Sequence, residues 1–145
     1  MTVNPTLLTL RPVTTSDADV NELFSLLQQR QFGISHRAMP SYDDHKAFVL
    51  SHPYRGWFIV QQEQLSVGSV YLLESNHIGI NMLAGYASLI KPAIDMLCDL
   101  FQPLPGIASV RSARFVLNVA PRDTEQIDAL ESAGAVLIQQ TYQLP

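Results

Sequence analysis

The 145-residue sequence holds one cysteine, Cys98, so no disulfide closes within the chain and no cysteine cluster can hold a metal. Charge is scarce as well. Asp, Glu, Lys and Arg together make up 15% of the residues, against roughly 25% in an average soluble domain. Nine basic residues against thirteen acidic ones leave a net charge of −4, so there is no basic excess to attract nucleic acid or an anionic lipid surface. No apolar run approaches the roughly 20 residues that cross a bilayer. The opening MTVNPTLLTLRP has no basic stretch ahead of an apolar one, as a secretory leader would. No nucleic-acid or membrane partner is expected, and the cytoplasm is the expected compartment. His36 and His45 have no companion at ligand spacing, so no metal is expected either.

What the chain does have is apolar residues, 47% of the total, enough to fill the core of one domain spanning 1–145. With few charges the surface falls to uncharged polar groups, glutamine above all. Such a surface favours self-association, and a homodimer is the candidate assembly.

The order of periodicities is informative. Residues 7–13 alternate as a short strand. Ser16 and Asp17 offer an N-cap for a helix whose Val20, Leu23, Phe24 and Leu27 form one stripe ending near Phe32-Gly33. A loop over 34–40 follows, and Ser41 caps a second helix with Asp43 and Asp44 at its positive end, stopped by Pro53. Three strand-like runs, 57–60, 66–73 and 77–83, are separated by short polar turns and predict an antiparallel meander. A helix over 89–101 takes Pro92 in its first turn. A strand over 112–119, a helix over 124–133 ended by Gly134, and a final strand over 135–144 complete the order β α α β β β α β α β. The expectation is a mixed α/β domain of the α+β kind: a mostly antiparallel sheet of about six or seven strands, the size range for such sheets, with helices on both faces.

This order and its landmarks resemble the GNAT superfamily of acyl-CoA-dependent N-acetyltransferases over essentially the whole chain. The resemblance is carried by Arg11-Pro12 at the end of the first strand, by Val67-Gly68 in the meander, and by the stretch FVLNVAPRDTEQIDALESAGAVLIQQTYQL. It implies a fourth and fifth strand that run parallel and splay apart, with acetyl-CoA between them. The backbone of Ile80, Asn81, Met82 and Leu83 would then pair with the pantetheine arm. Gly85, Ala87 and Ser88 would bring backbone N–H groups to the pyrophosphate, with Lys91 adding charge and Asp123 standing where the family commonly has Asn. Phe32, His36, Arg37 and Tyr71 would shape the acceptor pocket, and a small-molecule or peptide amine is the expected acceptor.

The chemistry needs a base for the ammonium and an acid for the leaving thiolate. Glu74 and His77 are the titratable candidates for the base at the turn into the fourth strand. Tyr86, Tyr142 or water could supply the acid. The chain departs from the family pattern at Met82, where Gln or Arg is usual, at Leu130, where a Tyr is common, and at Ala135, where Phe is common. These departures support an alternative reading: a catalytically impaired GNAT-fold protein that serves as an acyl-CoA-binding or assembly module.

Overall fold

The strands sort their side chains onto two faces, and each face is buried by its own helices. The computed structural model describes residues 7–30 and 39–145, so Phe32, His36 and Arg37 lie outside the described residues. Five strands stand in sequence order, β1 (Leu8–Pro12), β2 (Gly56–Gln62), β3 (Leu65–Leu72), β4 (His77–Met82) and β5 (Val116–Leu117). The first four pair antiparallel, and β4 pairs parallel with β5. Helices α1 (Asp17–Gln28) and α2 (Tyr42–Ser51) connect β1 to β2. Helices α3 (Ile90–Leu100) and α4 (Thr124–Ser132) flank β5 in the chain, and a 3-10 turn over Ala87–Leu89 leads into α3.

On β2, Phe58 and Val60 join the larger core with Val67, Val70, Leu72, Ile78 and Ile80, sealed by Leu89, Ile90, Ala93 and Leu97 of the α3 side. Ile59 between them faces the other way, into Val20 and Leu23 of α1 and Val49 of α2. Period-2 alternation therefore feeds two cores, and helices cover both faces as expected. The helix caps match their sequence signals: Ser16 accepts from the Asp19 N–H and Ser41 from the Asp44 N–H.

Two expectations are corrected. The fifth strand is two residues long rather than eight, because β4 and β5 pair only at His77–Val116 and Ile78–Leu117 before they part. Past that point the Ile80 carbonyl accepts from the Gln126 side-chain amide at 3.2 Å, so a side chain of α4 stands where a neighbouring strand would. The expected final strand forms no pairing: residues 135–145 leave α4 as an extended arm, with Val136, Leu137, Ile138, Tyr142 and Leu144 between 75% and 83% exposed. The described sheet thus has five strands, not six or seven. The arm has a strand's residues, but a strand also needs an edge to hydrogen-bond, and none in its own domain meets it.

The β1–α1 junction is held by Asp19, which is buried. Its carboxylate accepts from Arg11 at 2.7 Å and from both the N–H and the hydroxyl of Thr14 at 2.8 Å. Burial alone would raise its pKa, but these hydrogen bonds and the Arg11 charge outweigh burial and hold it below the ordinary value. Because the folded pKa is depressed, the stabilisation is fully present above the unfolded carboxylate pKa of about 3.9 and fades as pH falls through the folded value. Asp19→Ala is expected to cost about 2–3 kcal/mol at neutral pH, the scale of hydrogen bonds to a charged group. The variant should also lose stability less steeply than the parent on acidification, as read by urea melts at a series of pH values.

Candidate functional site

Two cavities meet at the end of β4. The larger, about 280 Å³, lies between α1, α2 and the sheet. Its apolar wall comes from Leu23, Leu26 and Leu27 of α1, Phe48 of α2, and Tyr54, Trp57 and Tyr71 around the sheet. Its polar groups are Arg30, His45, Ser69 and Asn81. The smaller cavity, about 40 Å³, is a slot on the α3 and α4 side, lined by Ile80, Ala84, Ala87, Ile90, Asp123, Glu125 and Gln126. Asn81, Met82 and Leu83 line both. The parting of β4 from β5 opens this junction, since the end of β4 has no strand on its outer side.

The aromatic wall is a continuous cluster. Tyr54 stacks on Tyr71 with centroids 4.1 Å apart and planes within 8°. Trp57 meets Tyr54, His52 and Phe48 edge-on at 4.9, 5.0 and 5.8 Å. Burial pushes both phenol pKa values up, and in Tyr71 the Arg30 charge partly offsets the rise, so both stay protonated at ordinary pH. The His45 Nε2 lies 3.0 Å from the Val20 carbonyl, which can only accept. Nε2 therefore carries the proton, and in the neutral ring Nδ1 keeps the lone pair.

The structure brings many of the expected residues to this junction. Ile80, Asn81, Met82, Leu83, Ala87 and Asp123 line the slot, and Tyr71 lines the larger cavity. Gly85, at φ +88°, turns the chain just beyond β4, and Ser88 lies in the 3-10 turn that opens the α3 side. The first amides of that turn have no acceptor within the helix, and Tyr86 at its start makes no side-chain cap. Lys91 is exposed and paired with Asp95 at 2.6 Å, one turn along α3. Asp123 accepts from the Gln126 N–H and so caps α4.

Other expected residues are not brought there. Glu74 is an exposed turn residue whose carbonyl accepts from Arg111, and the His77 Nδ1 bonds the Ser75 hydroxyl at 2.8 Å. Both stand at the β5-paired end of β4. Five residues of strand, about 16 Å at 3.3 Å each, separate His77 from the junction at Met82. Tyr86 packs against the larger core, and Tyr142 sits on the exposed arm.

No family model matches the sequence, and no curated protein matches it. Solved structures do match. One is a spermidine N-acetyltransferase from Vibrio cholerae, 18% identical over 90% of this chain and 80% of that one, with a TM-score of 0.61. Another is an aminoglycoside acetyltransferase from an uncultured soil metagenomic sample, solved in complex with sisomicin, 13% identical over 97% and 95% with a TM-score of 0.59. A third is an acetyltransferase from Thermus thermophilus, 17% identical over 72% and 74% with a TM-score of 0.57. The chain has the GNAT acetyltransferase fold.

Within this GNAT-fold domain, sequence reasoning had passed over Arg30, His45, Tyr54 and Trp57 as site residues. The available signal was compositional: Tyr54, Trp57 and Tyr71, three of the chain's twelve aromatic residues, fall within or just ahead of two adjacent strand runs. Gly79 belongs to the same design. A Cβ there would fall inside the Tyr71 ring, so the glycine is what lets that ring lie flat across β4 and stack on Tyr54. Gly79→Ala is expected to destabilise the fold by about 1–3 kcal/mol, the usual cost of overpacking. It should also change the Trp57 emission, because the displaced Tyr71 disturbs the ring stack. Thermal melting and a fluorescence spectrum check both.

Proposed function

We propose that the chain is an acyl-CoA-dependent N-acetyltransferase that moves an acetyl group from acetyl-CoA to the amine of a small molecule or peptide. The observation that carries this reading is the shared lining of the two cavities by Asn81, Met82 and Leu83, which gives donor and acceptor separate chambers with one common wall. In this scheme the pantetheine lies along the end of β4 and the pyrophosphate meets the amides of Gly85, Ala87 and Ser88, where the helix dipole favours an anion. Lys91 adds surface charge at that turn. The acceptor amine enters through the larger cavity.

The amine nitrogen attacks the thioester carbonyl carbon. A C–N bond forms, the C–S bond breaks, and coenzyme A leaves as its thiolate. The ammonium proton goes to a base, directly or through water. Among the described residues His45 is the imidazole that lines the acceptor cavity, and its Nδ1 lone pair is the base this arrangement favours over Glu74 and His77. The thiolate takes its proton from Tyr71 or from water.

A second reading, an acyl-CoA-binding or assembly module without turnover, is favoured by one observation. The buried Gln126 amide occupies the Ile80 carbonyl and leaves a slot of only about 40 Å³. Donor entry requires Gln126 to let go. Gln126→Ala is therefore expected to lower stability by about 1 kcal/mol, one hydrogen bond, while tightening acetyl-CoA binding. Calorimetry should show saturable heat with acetyl-CoA for the parent, and thiol release should follow when a suitable amine is added. Saturable heat without thiol release for any amine would favour the module; no heat at all removes the donor from both readings.

For the assembly, a second copy of the chain is the partner this reading favours. Residues 135–145 contain no charged side chain, and β5 is an edge strand of the described sheet. An uncharged apolar arm and a free strand edge on the same chain offer a template for pairing between chains. Sedimentation velocity at micromolar concentration should show a dimer for the full chain and a monomer for Leu137→Lys. A dimer that survives this substitution would place the interface elsewhere.

A further inference from the structure

The larger cavity has a chemistry that narrows its occupant, on the assumption that the acetyltransferase reading holds. Its wall is largely apolar and aromatic, and among the described residues no Asp or Glu lines it. Of the acids on the two helices above it, Asp19 is held by Arg11 and Thr14, Asp17 pairs with Lys46, Asp43 and Asp44 lie exposed in the first turn of α2, and Glu22 of α1 is half-buried but does not line the cavity. Residues 31–38, which lie outside the described ones, contain no acidic residue in their sequence and do contain Arg37. No carboxylate from that segment can therefore join the cavity, whatever its path.

The one full charge on the cavity lining is positive. Arg30 lies just past the end of α1, is exposed, and has no carboxylate partner among the described residues. A multiply charged amine would meet a like charge at the rim and, within, only the neutral groups of Ser69, Asn81 and His45 to offset the water its ammonium groups lose. Aromatic faces can hold a cation, but here Tyr54 and Tyr71 each spend one face on the other. A guanidinium at the rim of an aromatic chamber instead suits a carboxylate, which it can grip in bidentate fashion. A volume of about 280 Å³ sits at the low end for small-molecule pockets and suits one ring-sized group.

We propose that the acceptor cavity takes a small amine carrying both an aromatic group and a carboxylate, an aromatic amino acid or its close relative, with Arg30 binding the carboxylate and the Trp57–Tyr54 wall packing on the ring. The same lining disfavours a polyamine.

Trp57 is the only tryptophan in the chain and lies in the wall, so its emission reports occupancy without any acyl donor. The probes are L-phenylalanine, phenethylamine and spermidine, excited where none of them absorbs. L-Phenylalanine should change the emission saturably. Phenethylamine, the same ring and amine without the carboxylate, should bind at least fivefold more weakly, and spermidine should give no saturable change. Arg30→Ala should remove the advantage of L-phenylalanine over phenethylamine, while Arg30→Lys should keep part of it. Arg30 is exposed beyond a helix end, so both variants should fold as the parent does by circular dichroism. Saturation by spermidine, silence with L-phenylalanine, or a ratio indifferent to Arg30→Ala would each overturn the proposal. Absence of acetyl-CoA binding in calorimetry strikes the transferase reading alone, because this titration uses no donor.

Discussion

The architecture turns on a strand pair that is closed at one end and held open at the other. At the closed end stands Asn76, fully buried and at φ +67°, in the turn before β4. Its side-chain amide donates to the Leu104 and Ser112 carbonyls at 2.9 and 2.7 Å, its side-chain oxygen accepts from the Leu104 N–H at 2.8 Å, and its own carbonyl accepts from the Val116 N–H at 3.0 Å. One residue thereby ties the α3–β5 connection and the start of β5 to β4. Asn tolerates the left-handed backbone better than most side chains and can satisfy several buried partners at once. At the open end Gln126 fills the gap with a single side-chain hydrogen bond. A pair pinned at one end and bridged by a side chain at the other can admit a ligand without breaking the sheet.

The two faces of the sheet divide the labour. The α3 face carries the larger core, with seven strand residues from β2 to β4 sealed by one amphipathic helix. The α1–α2 face has only Val20, Leu23, Val49 and Ile59 as its buried cluster, and the aromatic cavity opens beside it. A thin core goes with a wide cavity, since a face that keeps a cavity open cannot also be filled with side chains. The Asp19 cluster fastens α1 to the edge strand on that weaker face.

Most of the fold was legible in the sequence. The order of periodicities, the Ser16 and Ser41 caps and the polar turns of the meander give the first four strands and all four helices close to their observed places. The site was half legible. The segment from Ile80 to Leu83, with Ala87 and Asp123, follows from position in the fold, because strand order alone brings them together. Arg30, His45 and Trp57 were not legible as lining of one cavity, because each sits on a different element and their meeting depends on how α1 and α2 lie across the sheet. Glu74 and His77 adjoin the strand whose far end lines the cavities, but a strand has two ends, and adjacency in sequence does not say at which end a cavity opens.

Sequence by itself determined what is local: alternation that makes strands, stripes that make helices, caps that start them, and a charge-poor surface that leaves apolar residues outside. Those signals act over a few residues and survive without knowledge of neighbours. Tertiary structure alone decided where β4 and β5 part, because that depends on Gln126 reaching a carbonyl 46 residues away and on Asn76 reaching Ser112. It alone decided that residues 135–144, with every local mark of a strand, stay unpaired. A strand is completed by the hydrogen bonds of a neighbour, and the neighbour is a property of the assembled sheet rather than of the segment.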